Sequence, residues 1–258
     1  IIPLCDPFSF PSELLLEALE RARPRAPALG GLASASFAGG TVLLRDGDVH
    51  SDGAVAAVLS GVEVLPCVSQ GAVPVGAEMT ITAAEGNVIA ELAGKPAMER
   101  LGEVIAALPE RERQLAGTGL LLGIVIDENR PSYERGDFLV RPIIGVDGSG
   151  ALVTGQQVRV GQTIRMHVRD AASADEDLRE ALRAQSQALG AQGAAGALLF
   201  TCNGRGSNMF EVPDHDAAAI EDALGAPAAG FFCAGEIGPV GGRNFLHGFT
   251  ATMAVFPA

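Results

Sequence analysis

The residues best equipped for chemistry stand near the end of the chain, in Phe200-Thr201-Cys202-Asn203-Gly204-Arg205-Gly206, Gly235-Glu236-Ile237-Gly238-Pro239 and Leu246-His247. The first run ends an apolar strand on a thiol and continues into a glycine-rich turn that carries a guanidinium. Turn amides of Cys202, Asn203 and Gly204, together with Arg205, suit a carboxylate or a phosphate. The second run sets a carboxylate, Glu236, on a turn bracketed by Gly235 and Gly238, where it would receive an amine. Arg205 and Glu236 would then hold the two ends of a zwitterion such as an amino acid. The competing reading pairs them with each other, or with solvent, around two tight turns. A nucleophilic alternative joins Cys202 to His247 and Cys5 to His50 as thiolate–imidazolium pairs. Against it, no carboxylate with recognisable spacing orients His247, and no GxSxG, HExxH, P-loop or dinucleotide fingerprint occurs.

The remaining reactive groups are sparse. Cys5, Cys67, Cys202 and Cys233 lie far apart with no CxxC, which is not the paired spacing of a zinc site; neither a metal nor a cofactor is expected. Buried free thiols in a reducing cytoplasm are the expectation. Lys95 is the only lysine, and it lies in Leu92-Ala93-Gly94-Lys95-Pro96, outside any phosphate-gripping motif.

These groups sit on an acidic chain of 258 residues with a formal net charge of -13, 48% hydrophobic residues, 33 Gly and 15 Pro. The apolar content excludes a disordered chain, and the acidity argues against nucleic acid or an anionic membrane as partner. The longest apolar stretch, Gly117 to Ile126, is far short of the ~20 residues that span a bilayer. No charged-then-apolar leader is evident. The opening Ile1-Ile2-Pro3-Leu4 reads like the inside of a strand, which leads us to expect a fragment or a processed product.

The positioning elements follow from periodicity and punctuation. A strand from Ile1 stops at Asp6-Pro7, and a helix capped at Ser12 runs through Leu15, Leu16, Leu19 and Ala22 to Pro24. Ala28 to Phe37 reads as a strand with close backbone approach at Gly30-Gly31. Thr41 to Leu44 and Ala54 to Ser60 read as a hairpin around Asp46-Gly47. Strands are predicted at Val62–Ser69, Met79–Ala83 and Val88–Leu92, and a helix from Pro96 to Leu108. Further strands are predicted at Leu120–Ile126, Asp137–Val146, Ala151–Thr154 and Thr163–Arg169, the last with clear alternation. Ser173 and Glu176 form a capping box for a helix ending at Gly190. A strand Ala197–Cys202, a helix Asp216–Leu224, and strands over Ala228–Cys233 and Phe245–Phe256 close the chain. The fold class is α/β in the α+β sense: mixed, mainly antiparallel sheets with flanking helices.

One pattern organises this list. Cys202 lies 197 residues after Cys5, and His247 lies 197 after His50. Each Cys ends a strand that is followed by a helix, a glycine-containing strand, and a final strand entered through a histidine. The chain therefore reads as two pseudo-repeated halves, each β-α-β-β, with a ligand expected at the seam between them. A counterpart of residues 119–197 is then expected ahead of Ile1.

The tail resembles the C-terminal domain of the FIST family through its strand-Cys-x-Gly-Arg turn, Gly-Glu-Ile-Gly-Pro, Leu246-His247, Phe138-Leu139-Val140-Arg141 and Arg169-Asp170. Asp6-Pro7-Phe8-Ser9-Phe10, Gly30-Gly31-Leu32-Ala33-Ser34 and Asp52-Gly53-Ala54-Val55 are similar to the end of the FIST N-terminal domain. The resemblance implies a domain boundary between residues 1–93, the latter portion of the N domain, and residues 94–258, the C domain. It implies a cytoplasmic sensory protein that binds a small ligand of amino-acid type and passes its signal to a separate partner protein. It brings no catalytic constellation. The ligand-binding candidates are Cys202, Asn203, Gly204, Arg205, Gly235, Glu236, His247, Cys5 and His50. A Cys/His-dependent enzyme and a protein-recruiting scaffold, as in F-box relatives, remain alternatives.

Overall fold

A computed structural model describes residues 1–258. The chain begins with β1 (Ile2–Cys5), α1 (Ser12–Ala22), β2 (Gly30–Leu32), β3 (Leu43–Arg45), β4 (Asp48–His50), β5 (Ala54–Ala57) and β6 (Leu65–Gln70). It continues with β7 (Ala72–Glu85), β8 (Val88–Leu92), β9 (Lys95–Pro96), α2 (Ala97–Ala107), α3 (Glu110–Thr118), β10 (Leu120–Val125), β11 (Phe138–Val146), β12 (Leu152–Thr154) and β13 (Thr163–Arg169). It ends with α4 (Ala171–Leu189), β14 (Ala194–Cys202), α5 (His215–Leu224), β15 (Ala228–Cys233), β16 (Gly235–Val240), β17 (Arg243–His247) and β18 (Thr250–Pro257). The content is mixed α/β in mainly antiparallel sheets, as the periodicity predicts. Two compact units form: residues 1–71 with 171–258, and residues 72–170.

The inserted unit, 72–170, is an antiparallel sheet in the order β12-β11-β10-β13-β7-β8-β9, and β12 also pairs with β8. That extra pairing closes six strands into a ring and removes the free edges an open sheet would leave. Bulges at Ile81/Ala83, Ile143/Gly145 and Ile164/Met166 supply the bends that closure needs. Ile81, Ile89, Leu122, Ile124, Leu152, Ile164 and Met166 fill the interior, and Ala97, Leu101 and Leu108 from α2 and its end join them. His167 is buried here against Phe138, with ring centroids 4.9 Å apart at 69°. Gly123 makes its room, since a Cβ there would stand 2.1 Å from the imidazole.

The larger unit is four-layered. One sheet runs β17-β16-β2-β1-β5 and the other β15-β14-β18-β6. Ile2, Leu29, Phe200, Cys233 and Ala254 pack between them. Helix α1 covers the outer face of the first sheet through Leu16, against Cys5, Leu32 and Ile237. Helices α4 and α5 cover the second through Leu178, Leu182, Ala219 and Ile220, against Leu199, Met253 and Val255. The 4-residue spacing from Ala174 through Leu178 to Leu182 is the buried stripe of α4.

The repeat is visible in this unit. Strands β1 and β2 are parallel with Cys5 beside Leu32, and β14 and β15 are parallel with Cys202 beside Cys233. In each set the last strand, β5 or β18, pairs antiparallel with the first. In each set a hairpin, β3–β4 or β16–β17, precedes that last strand.

Several expectations need correction. The hairpin around Asp46-Gly47 joins β3 to β4, while residues 54–57 pair with β1 instead. Asp46 and Gly47 both have positive φ, 52° and 89°, the two-residue turn that suits the twist of paired strands. Helix α4 begins at Ala171, so Ser173 lies inside it and does not cap it. Helix α3 is additional to the expected elements. Residues 235–240 form strand β16, so Glu236 is on a strand and not on a turn.

Candidate functional site

Arg205 belongs to a buried polar frame, and none of the sequence candidates lines the cleft beside it. Arg205 is fully buried, and its guanidinium makes a bidentate pair with Asp216 in the first turn of α5, Nε to Oδ2 at 2.7 Å and Nη2 to Oδ1 at 2.8 Å. Thr201 Oγ1 donates to the same carboxylate at 2.6 Å, and His215 Nδ1 lies 2.9 Å from it. His215 Nε2 lies 2.9 Å from Asp175 of α4, which also binds Arg179. The result is a chain of alternating sites, Arg179–Asp175–His215–Asp216–Arg205, that ties α4, α5 and the turn after β14 together. Arg205 and its bonded neighbours hold the Asp216 carboxyl below its ordinary value, against the opposing effect of burial. Phe210 stacks on His215 at 3.5 Å and 6°, with the Arg205 guanidinium 5.2 Å from its ring centre.

The turn amides that looked ready for an anion are used internally. Asn203 N donates to Cys233 O at 2.8 Å, Arg205 N to Cys202 O at 2.9 Å, and Gly204 N approaches Cys202 Sγ at 3.4 Å. Gly204 is required by closeness, because a Cβ would meet the Phe249 ring at 3.0 Å. Phe249 itself has φ 62°, a strained conformation for an aromatic residue, and its carbonyl accepts from Gly71 N at 2.7 Å.

Glu236 lies at the seam of the two halves, where β16 pairs with β2 and Glu236 faces Gly31 in register. Its side chain is fully buried; Oε2 accepts from Thr250 Oγ1 at 2.8 Å and Thr250 N at 3.2 Å. Burial pushes its carboxyl up to about 8, only partly offset by those bonds, by Cys202 and by Arg205. Burial also raises Cys202, to about 11, with Glu236 adding to the effect. Cys233 is raised as well, again by burial first. A thiol so placed is protonated near neutral pH and is a poor nucleophile. His247 is buried on β17, its Nε2 3.0 Å from Gly238 O, and no imidazole is among the groups that shift Cys202. Cys5 is sealed in the core near Ser12, whereas His50 is exposed at the end of β4. Counted from the hairpin turns, His50 is the third residue of its strand and His247 the fifth, so the two histidines are not equivalent positions.

Beside the frame is a cleft of about 280 Å³. The first turn of α5 (His215, Asp216, Ala217), Asp214 and Thr201 give it a polar end; Leu199, Ala228, Ala229, Gly230, Phe231 and Phe232 form its apolar wall. Asp214 has φ 55° and places no side-chain cap on α5, whose first carbonyl bond is Ala218 N to Asp214 O at 2.8 Å. The amides of the first turn therefore lie at the cleft's polar end, where a helix favours negative charge. Asp214, Phe231 and Phe232 were not among the sequence candidates. Their signal was available only as a Pro-Asp-His start to a helix and a Phe pair on a short strand.

Comparison with known proteins then decides the family. Residues 1–95 match the FIST N domain and residues 97–239 the FIST C domain. The chain belongs to the FIST family. FIST domains are sensory domains of signal-transduction proteins. The FIST chain is 49% identical over 257 residues to an uncharacterised protein of Mycobacterium tuberculosis strain H37Rv, covering 98% of this chain and 67% of the relative. It is 48% identical over 256 residues to an uncharacterised protein of Mycobacterium bovis, covering 98% of this chain and 66% of the relative. No helix is long and apolar enough to cross a membrane.

Proposed function

We propose that this FIST chain senses a small zwitterion of amino-acid class, bound in the cleft between β15 and the start of α5. The observation that carries the reading is the composition of that cleft: uncapped first-turn amides for a carboxylate, the Asp214 carboxylate for an ammonium, and an apolar wall ending at Phe232 for a side chain. In this reading Arg205 positions and does not bind. Its pairing with Asp216 fixes where α5 begins, and so where the amides stand. Glu236, Cys202, Asn203, Gly204, Gly235 and His247 form the seam behind the cleft and hold the strands that carry it. The signal passes to a separate partner protein in the cytoplasm, with the two FIST domains meeting near residue 94.

The test is a thermal-shift and calorimetric screen of the chain against the common amino acids. A ligand at a hundred times its Kd stabilises the fold by about 2.7 kcal/mol. Asp214→Asn and Phe232→Ala should each weaken a ligand found this way while leaving the unliganded melting temperature within a few degrees. No shift with any amino acid, or a shift indifferent to both substitutions, overturns the reading.

A further inference from the structure

The two halves are not equally complete. Hairpin β16–β17 lies against the edge of β2, with Gly235, Glu236 and Ile237 opposite Leu32, Gly31 and Gly30. The corresponding edge in the second half is that of β15, and there it is free: β15 ends its sheet, and Ala228, Ala229, Gly230 and Phe232 are exposed. The corresponding hairpin in the first half, β3–β4, pairs only with itself. It shows solvent an apolar surface, with Val42, Leu44 and Val49 each about two-thirds exposed. Natural edge strands are usually guarded by charge, proline or a bulge, and residues 228–233 carry none of these. An unguarded edge and an unguarded hairpin thus occur together, at positions that the repeat makes partners.

We propose that the free edge of β15 is a docking site for β3 of the same chain, the mate of the β16–β2 contact already formed. The register follows from the hairpin turns. Arg45 and Val240 both immediately precede their two-residue turns, so Gly40, Thr41 and Val42 stand where Gly235, Glu236 and Ile237 do. Phe232 stands where Leu32 does, because Gly230 crowds the Leu199 carbonyl as Gly30 crowds that of Pro3, whereas Cys233 packs between the sheets and Leu32 faces α1. Gly40 then pairs with Phe232, Val42 with Gly230 and Leu44 with Ala228. Reach is not limiting, because Leu32 O already accepts from Ala234 N at 3.0 Å, so the segment leading to β3 departs beside the end of β15. Residues 33–39 replace Cys233 and Ala234, and this slack lets the hairpin stand off the edge. Thr41 Oγ1 bonds to Asp6 Oδ1 at 2.5 Å, just after the first strand of its half, as Glu236 lies by Cys202 in the other. That anchor stays in place when β3 closes. Docked, the hairpin runs beside the β15 wall of the cleft, although the docking itself does not depend on any ligand.

The experiment pairs Leu44→Cys with Ala228→Cys in the whole chain, with Val49→Cys plus Ala228→Cys as control. Directly opposed residues on antiparallel strands are about 4.5–5.5 Å apart at Cα, within disulfide reach. Mild oxidation should give an intramolecular, reducible cross-link in the monomer for Leu44/Ala228 and not for Val49/Ala228. Hydrogen exchange on the unsubstituted chain provides a second reading: the alternation set by Ala197 N to Pro227 O and Asn203 N to Cys233 O points the amides of Gly230 and Phe232 away from β14, so these two should exchange slowly, and deleting residues 41–50 should make them fast. Free thiols in both pairs, cross-links only between chains, or fast exchange at Gly230 and Phe232 in the intact protein overturns the proposal.

Discussion

Glu236 offers the sharpest quantitative test, because one buried carboxyl should dominate the pH dependence of the larger unit's stability. In the unfolded chain it ionises near 4.5, and in the fold its value is pushed up to about 8. Between those values the fold must keep a proton that the unfolded chain releases, so stability is fully present below about 4.5 and declines as pH rises through 8. Applying the linkage relation between pH 5 and pH 8 gives a loss on the order of 3–4 kcal/mol from this group alone. For a unit of this size that corresponds to a fall of about 10 °C in melting temperature. Glu236→Gln preserves an acceptor for Thr250 and removes the ionisation. Urea melts followed by far-UV circular dichroism, needed because the chain has no Trp and one Tyr, should be run at pH 5, 6, 7 and 8 for both proteins. Other titrating groups contribute alike to both, so the difference between the curves isolates Glu236. The variant should lose ground or break even at pH 5 and be the more stable protein at pH 8. Parallel curves would show that the carboxyl is ionised in the fold, and the reasoning about its burial would fail.

Three further outcomes follow from the packing. All four cysteines should react sluggishly with a disulfide reagent at pH 7.5, and His247→Ala should not change the rate at Cys202; a fast Cys202 that slows in the variant would restore a thiolate–imidazolium pair. Arg205→Ala leaves the buried Asp216 carboxylate without its guanidinium, with only Thr201 and His215 beside it, so unfolding should be easier by about 3–5 kcal/mol, and by far less in Arg205→Ala/Asp216→Ala; equal losses in both would mean the pair is not coupled. Gly123→Ala should destabilise the inserted unit by about 1–3 kcal/mol through contact with the His167 ring, and His167→Ala should relieve that increment in a double-mutant cycle.

Periodicity made most of the framework legible, and its failures have physical causes. Thr163–Arg169 alternates because one face meets the ring's interior, so its bounds could be read directly. Helix α3 hides because Glu-Arg-Glu-Arg-Gln has no apolar stripe, and none of its residues is fully buried. Gly-Glu-Ile-Gly-Pro reads as a turn because two glycines and a proline punctuate it. Those glycines serve closeness: a Cβ on Gly238 would stand 2.8 Å from Thr252, and one on Gly235 3.1 Å from Leu246. Sequence spacing cannot distinguish a glycine needed for curvature from one needed for crowding.

The same limit explains why the candidate residues were recognised and their partners misassigned. Arg205 and Glu236 stand out in the sequence as opposite charges on neighbouring motifs, and the fold does place both beside Cys202. A fully buried guanidinium, however, needs a carboxylate that can be reached without water, and Asp216 meets that need from the start of the next helix. Glu236, left with one hydroxyl and one amide, lowers its cost by keeping its proton. In the proposed reading the conspicuous polar motif of the chain is therefore structural support. It sets the start of α5 and the line of β16 against β2. In that reading recognition belongs to the less conspicuous neighbours those elements present, Asp214 and the wall ending at Phe232, which no spacing rule singles out because their meaning exists only once the helix and the edge strand stand side by side.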